Sequence, residues 1–330
     1  MSANRKRFVK AIFERQDKYH RYEDQLINEN LYNRRKLLIG CYFTENKARF
    51  AQHPKLKHPH HRQYLKDCMQ AAYGRDMILI SIDTETWEAG DAILEVGIAI
   101  FDPRGQQALG YPHIKTFHLI NDEALHLRNG RFVPDRRYNF MGKMSWKMPF
   151  DLIVSFVQGI LDYYFDIEGW EAVIVGHSVQ HDIMVLKDMG VDVPDDWAID
   201  TQKLFALNRT KTSQTNLRVA LQDTHILGGY MHNGGNDAYF ALQLLLKLAD
   251  PEVRKVLNLD KFENTINPKR LFEEYTPAAS FRSPIPYSAL ACAFPEPYYA
   301  RIVPNTVESD DSEDSDDSDE DESDYDNSYF

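Results

Sequence analysis

Between Met77 and Ile120 the chain carries three apolar, β-rich runs in close succession, and this stretch constrains the fold more than any other. Met77-Ile-Leu-Ile-Ser-Ile82 ends at Asp83, Ala92 to Phe101 is stopped by Asp102-Pro103, and Lys115 to Ile120 forms the third run. Short β-branched runs bounded by turn residues predict strands. Helix periodicity takes over from Asp151 to Phe165, with Ile153, Phe156, Val157, Ile160 and Leu161 on one face. Ala172 to Val175 reads as a short buried strand ended by Gly176. Asp182 to Met189 reads as a helix and Ala198-Ile199 as a strand, and helices follow near 201–207, 216–222 and 235–249. Strands in sequence, then helix and strand in alternation, predict an α/β fold with a mixed sheet flanked by helices.

Around this centre the chain divides into four regions. Residues 1–75 read as a basic, mostly helical N-terminal extension, 76–250 as the α/β domain, 251–307 as a Pro- and aromatic-rich extension, and 308–330 as an acidic tail. In the first region Phe8, Ile12, Phe13, Leu26, Leu31, Leu37 and Leu38 supply a partial apolar stripe. The His53–His61 stretch, with Pro54 and Pro59, predicts a break between helices. Its four histidines read as solvated surface rather than as a metal site.

The formal net charge of −12 conceals a strong polarity. Glu308 to Asp326 holds 13 acidic and no basic residues, and this Ser/Asp/Glu tail predicts disorder. Residues 1–75 carry 17 Lys and Arg against 7 Asp and Glu, a basic arm able to track a phosphate backbone or simply to solvate helix surfaces. The tail offers a surface for a basic protein partner. Its Ser309, Ser312, Ser315 and Ser318, set among acids, are candidate phosphorylation sites. No apolar run is long enough to span a membrane, and the basic start, MSANRKRF, leads into no signal-like stretch. Three widely spaced cysteines, Cys41, Cys68 and Cys292, fit a reducing intracellular compartment, cytoplasmic, nuclear or both.

Three short elements carry chemistry. In Ile82-Asp83-Thr84-Glu85-Thr86, residues two apart share a strand face, so Asp83 and Glu85 aim two carboxylates at one point. Such charges repel unless a cation lies between them, although the triplet alone also fits an exposed strand end. In Val175-Gly176-His177-Ser178-Val179-Gln180-His181-Asp182 a buried strand turns into a helix with Asp182 on its first turns. In His232-Asn233-Gly234-Gly235-Asn236-Asp237, Asp237 begins a strongly apolar helix that Asn236 is placed to cap. His232 lies on the loop before it, with a side chain that titrates near neutral pH.

Taken in order, these elements resemble the three motifs of the DEDDh exonuclease family in the ribonuclease H-like superfamily. Asp83, Glu85 and Thr86 match the first motif and Ile93 to Ala99 the family's second strand. His177 to Asp182 match the second motif, and His232 with Asp237 the third. Ile199-Asp200-Thr201, Leu217 and Leu221 fit the stretch between the last two, and the resemblance covers about 77–248. Ser178 and His181 depart from the Asn and Phe common in the second motif. The phrase His-Asn-x-Gly-Asn-Asp-Ala is similar to a fungal subgroup, some of whose members are linked to mRNA export.

The resemblance implies a ribonuclease H-like sheet. It also implies that Asp83, Glu85, Asp182 and Asp237 bind two Mg²⁺ or Mn²⁺ ions, hard cations suited to carboxylate oxygen. His232 is implied as the base that takes a proton from the attacking water. The implied reaction is 3′–5′ hydrolysis of single-stranded nucleic acid, RNA favoured over DNA by the subgroup, to nucleoside 5′-monophosphates. The alternative is a catalytically weak nucleic-acid-binding or scaffold protein that retains the fold. Tyr138, Phe140 and Trp146, interleaved with Arg136, Arg137, Lys143 and Lys147, are candidates for a wall that stacks bases or closes the core.

Overall fold

A computed structural model describes residues 28–107, 109–142, 144–194, 198–208, 215–261 and 285–286. The arm before residue 28, Lys143, most of the Pro-rich extension and the acidic tail lie outside the described residues. Three helices come first, α1 (Asn28–Glu45), α2 (Lys47–Gln52) and α3 (Pro59–Ala72). The β-rich centre gives β1 (Met77–Thr86), β2 (Ile93–Phe101), β3 (Ile114–Asn121) and β4 (Ser145–Met148). Alternation follows, with α4 (Phe150–Phe165), β5 (Glu171–Gly176), α5 (Gln180–Asp188), β6 (Ile199–Asp200), α6 (Thr201–Phe205) and α7 (Leu217–Asp223). The remaining elements are α8 (Gly234–Leu248), α9 (Pro251–Val256) and β7 (Ile285–Pro286).

The expected mixed sheet is present, in the order β6-β5-β1-β2-β3-β4-β7. β1, β2 and β3 pair antiparallel, while β5 runs parallel to β1 and β6 parallel to β5. On the other edge β4 runs parallel to β3 and β7 parallel to β4. Strand alternation sorts side chains onto two faces. Ile78, Ile80 and Ile82, with Val96, Ile98 and Ile100, pack against α4 and α5. Met77 and Leu79, with Ala99 and Phe101, pack in a second core with α1, α3, α6, α7 and α8. By the same parity Asp83, Glu85, Glu95 and Gly97 fall on the α8 side. No helix among the described residues is long and apolar enough to cross a membrane.

Several local expectations need correction. β1 continues through Thr86, so Asp83 and Glu85 sit inside a paired strand rather than beyond its end. The break expected at His53–His61 is present between α2 and α3, with Pro59 opening α3 rather than lying inside the break; at the first helical position its missing N–H has no intrahelical partner to lose. His53 is buried, and its Nδ1 accepts the Leu56 N–H at 2.9 Å, a turn contact rather than solvated surface. Trp146, 7 % exposed, closes the α4–α5 core, and Arg137, 2 % exposed, reaches the Leu127 carbonyl at 2.7 Å. Neither belongs to an exposed stacking wall. The aromatic that is exposed in this stretch is Phe132, with the Arg131 guanidinium over its ring.

Candidate active site

The site gathers where β1, β2, α5 and α8 meet. On β1, Glu85 stands opposite Glu95 and Asp83 opposite Gly97, while Gly97 stands opposite His118 of β3. Gly97 has a steric reason to lack a side chain, because a Cβ there would overlap the Gly234 carbonyl. The first turn of α8 therefore rests on the β2 backbone, which brings Asp237 down beside the β1 carboxylates. Asn233, not Asn236, caps α8, its side chain accepting the Asn236 N–H at 3.1 Å. Asn236 instead fastens the preceding loops, bonding the Met141 N–H and the Asn139 and Tyr230 carbonyls.

Glu85, His232 and Asp237 offer ligand atoms that all lie within 4.8 Å of one another, a spacing one metal ion can bridge. Asp237 is buried, and one of its oxygens accepts the His232 N–H at 2.8 Å. That bond holds the His232 backbone at φ +67°, in the left-handed region. The other oxygen, Oδ1, is buried with no hydrogen-bond partner among the described residues. Asp182 is buried on α5, its Oδ1 receiving both the backbone N–H and the hydroxyl of Thr84 at 3.0 and 2.9 Å. Asp83 and Asp182 stand outside the 4.8 Å group but close enough to act on its charges.

Electrostatics make the cluster unusual. Burial raises the Asp83 carboxyl well above the ordinary range, and the charges of Asp182, Asp237, Glu85 and Glu95 push it further. Burial also raises Glu85, with Asp237, Glu95 and Asp182 adding to it. Burial lifts Asp237 to about 7 and Asp182 to about 6, the Thr84 hydrogen bonds opposing the rise at Asp182. Several carboxylates facing one another out of water are costly unless protonated or bridged by a cation. An orphaned buried carboxylate oxygen beside further carboxylates is a set of hard oxygen donors that fits a divalent ion of the Mg²⁺ or Mn²⁺ kind, with the His232 imidazole close by.

The other motif residues act as framework. The His177 ring bridges the Thr201 hydroxyl at 2.9 Å and the Thr215 carbonyl at 2.7 Å, tying two segments together. Ser178 stands at φ +72°, a conformation asparagine adopts more readily than serine. Its N–H is held by Asp200 at 3.0 Å, so the departure from Asn falls on the turn's backbone. His181 is exposed, and its charge acts on Asp182. Three further residues of the site, Glu95, His118 and Asn233, are not among the residues the motifs single out. Glu95 carried a signal, being a charged residue inside a nine-residue strand that is otherwise apolar.

A family model described as DEDDh_C, DNA polymerase III subunit epsilon-like, C-terminal domain, matches residues 78–248. The chain is similar to protein YDR514C of Saccharomyces cerevisiae, 33% identical over 227 residues, covering 61% of this chain and 47% of that one. It is similar to "Good for full DBP5 activity protein 2" of the same yeast, 28% identical over 225 residues, covering 60% and 40%. It is also similar to the nucleolar protein C2C4.08 of Schizosaccharomyces pombe, 30% identical over 193 residues, covering 55% and 72%. The chain spans less than half the length of the two budding-yeast relatives. With just over half of its 330 residues matched by the family model, over the same elements that assemble the acidic site, the chain belongs to the DEDDh family of DNA polymerase III subunit epsilon-like domains.

Proposed function

We propose that the protein is a metal-dependent 3′–5′ exonuclease acting on single-stranded nucleic acid, RNA in preference to DNA, and releasing nucleoside 5′-monophosphates. The observation that carries this reading is the convergence of like-charged, water-poor carboxylates from β1, α5 and α8, with Asp237 Oδ1 left without a partner among the described residues. Asp83, Glu85, Asp182 and Asp237 are the proposed ligands of two Mg²⁺ or Mn²⁺ ions. When bound, those ions supply positive charge to the phosphodiester oxygens and lower the pKa of an attacking water.

The chain's own residues do the rest. Thr84 fixes the Asp182 carboxylate and the His232 N–H fixes Asp237, so both are oriented before substrate arrives. The His232 imidazole takes the proton of the attacking water. The water oxygen bonds to phosphorus, the bond from phosphorus to the 3′ oxygen breaks, and that oxygen takes a proton from solvent while His232 returns its own to solvent. Exposed Phe132, with Arg131 over its ring, offers a base-stacking and phosphate-contacting surface for the strand. Glu88, three residues beyond Glu85, holds this loop by accepting the Arg131 and Phe132 N–H groups at 2.8 Å. The RNA preference leans on the relative whose name cites DBP5 activity and on the nucleolar relative. An intracellular setting, cytoplasmic or nuclear, belongs to the same reading.

The test is degradation of 3′-labelled and 5′-labelled RNA and DNA with Mg²⁺ or Mn²⁺. D83A/E85A should lose at least about 10³-fold in rate, as expected when charge stabilisation of the transition state is removed. Equal degradation by wild type and variant would place the chemistry elsewhere. Tight binding with no turnover in either would favour the scaffold reading.

A further inference from the structure

Five carboxylates meet at this site, and one differs from the other four. Glu95 is 3 % exposed, and protein donors surround one of its oxygens. Its Oε2 lies 2.7 Å from His118 Nε2, 3.3 Å from the Asn233 side-chain nitrogen and 3.3 Å from the Gly234 N–H. Its Oε1 faces the buried Arg137 guanidinium at 3.8 Å. With Oε2 engaged by these donors and Oε1 set beside a guanidinium, Glu95 is a poorer cation ligand than Asp237, which still has an unpartnered oxygen. His118, fully buried, is itself held from behind by Ser145 at 2.8 Å from its Nδ1 and by the Phe140 ring.

What Glu95 grips is the entrance to α8. Asn233 and Gly234 lie between His232 and Asp237 in sequence, and Asn233 is the cap of the helix that carries Asp237. The same Asn233 nitrogen reaches the Arg136 and Arg137 carbonyls at 3.1 and 3.3 Å, locking the 136–137 loop to the cap. Ser145, His118, Glu95 and Asn233 thus form a continuous chain from β4 through β3 and β2 to the loop of His232. We propose that Glu95 and His118 are a positioning pair, which sets the placement of His232 and Asp237 against the β1 carboxylates without either one touching substrate or metal. The proposal rests on the nuclease reading for its kinetic consequence, but not for its geometric one.

The experiment compares wild type, H118A and H118Q, all full-length, by steady-state RNA hydrolysis and by amide hydrogen exchange in EDTA. Glutamine can still present a donor toward Glu95, whereas alanine cannot. H118A should lose about ten- to hundredfold in kcat with KM little changed, the usual size for a residue that orients a metal ligand. In the metal-free protein its amides from Asn233 to Asp237 should exchange faster while those of β1 and β5 do not, and H118Q should recover most of both losses. E95Q keeps the side-chain shape and takes the place of H118A if that variant loses its native circular dichroism. Unchanged exchange at 233–237, a loss confined to KM, or H118Q as impaired as H118A would overturn the proposal. Absence of turnover in wild type would instead count against the nuclease reading, and the exchange comparison would then decide the positioning claim by itself.

Discussion

Arg254 and Asp237 are both charged side chains taken almost wholly out of water, yet their surroundings differ in kind. Arg254 is 1 % exposed and every neighbour answers it. Its guanidinium donates to Asp260 at 2.6 Å, to the Tyr42 hydroxyl at 2.8 Å and to the Leu248 carbonyl at 2.8 Å, while Tyr42 donates to the other Asp260 oxygen. One positive and one negative group close on each other, joining α1 to the segment after α9. Asp237 lies among Asp83, Glu85 and Glu95, which share its sign, and keeps an unpartnered oxygen. The Arg254 cluster is balanced by an opposite charge in direct contact, whereas Asp237 has, among the described residues, only the His232 N–H and the more distant Arg136 and Arg218 charges set against its neighbours.

Three measurements break or sharpen that contrast. The largest effect belongs to the closed cluster. R254A leaves Asp260 buried and unpaired and should cost about 3–5 kcal/mol of stability, read as a fall in urea midpoint whether or not metal is present. A loss below about 1 kcal/mol would show that the cluster is not closed in solution. The next effect belongs to the open cluster. Mn²⁺ at a hundredfold excess over its dissociation constant should stabilise wild type by about 2.7 kcal/mol. The same addition should leave D237N near its metal-free Tm, and equal shifts in both proteins would move the cation elsewhere.

The smallest effect is a pH dependence. Asp237 ionises near 3.8 in the unfolded chain and at about 7 in the fold, so between these values the folded state holds a proton the unfolded state releases. Stability from this group is therefore complete below about pH 4 and lost as pH rises through 7. In EDTA the stability of wild type should fall from pH 5 to pH 8, and D237N should show a shallower fall, part of the slope remaining with Asp83, Glu85 and Asp182, and exceed wild type at pH 8 by about 1–2 kcal/mol. A wild-type Tm that climbs across this range would show that burial does not hold the Asp237 carboxyl above its ordinary range.

The open cluster was largely legible in the sequence and the closed one was not, for one physical reason. Asp83 and Glu85 share a face by strand periodicity. Asp182 and Asp237 sit at helix starts announced by Gly176 and by the apolar run after Asn236. These are local signals. Tyr42 and Asp260 meet across 218 positions and Arg254 meets Tyr42 across 212, pairings that no periodicity encodes. Glu95 and His118 fall between the two cases. The charged residue in an apolar strand was visible, but its partner is fixed by the β2–β3 register, which only the folded sheet displays. The cap of α8 is Asn233 because the helix begins at Gly234, three residues before the Asp237 start that an Asn236 cap requires, and Asn236 holds the loops instead.

The seat of Gly234 on Gly97 gives the molecule a hard stop. Side chains in a core yield by tenths of an ångström when a neighbour changes size, whereas two main chains in contact have no rotamer to surrender. The closest approach of β2 to the helix that carries Asp237 is thus cut into the backbone, while the side chains around it settle how that helix start is oriented. Drift in the apolar residues along the rest of α8 can soften or stiffen the domain without resetting that approach. A single methyl group at residue 97 would pry the two apart.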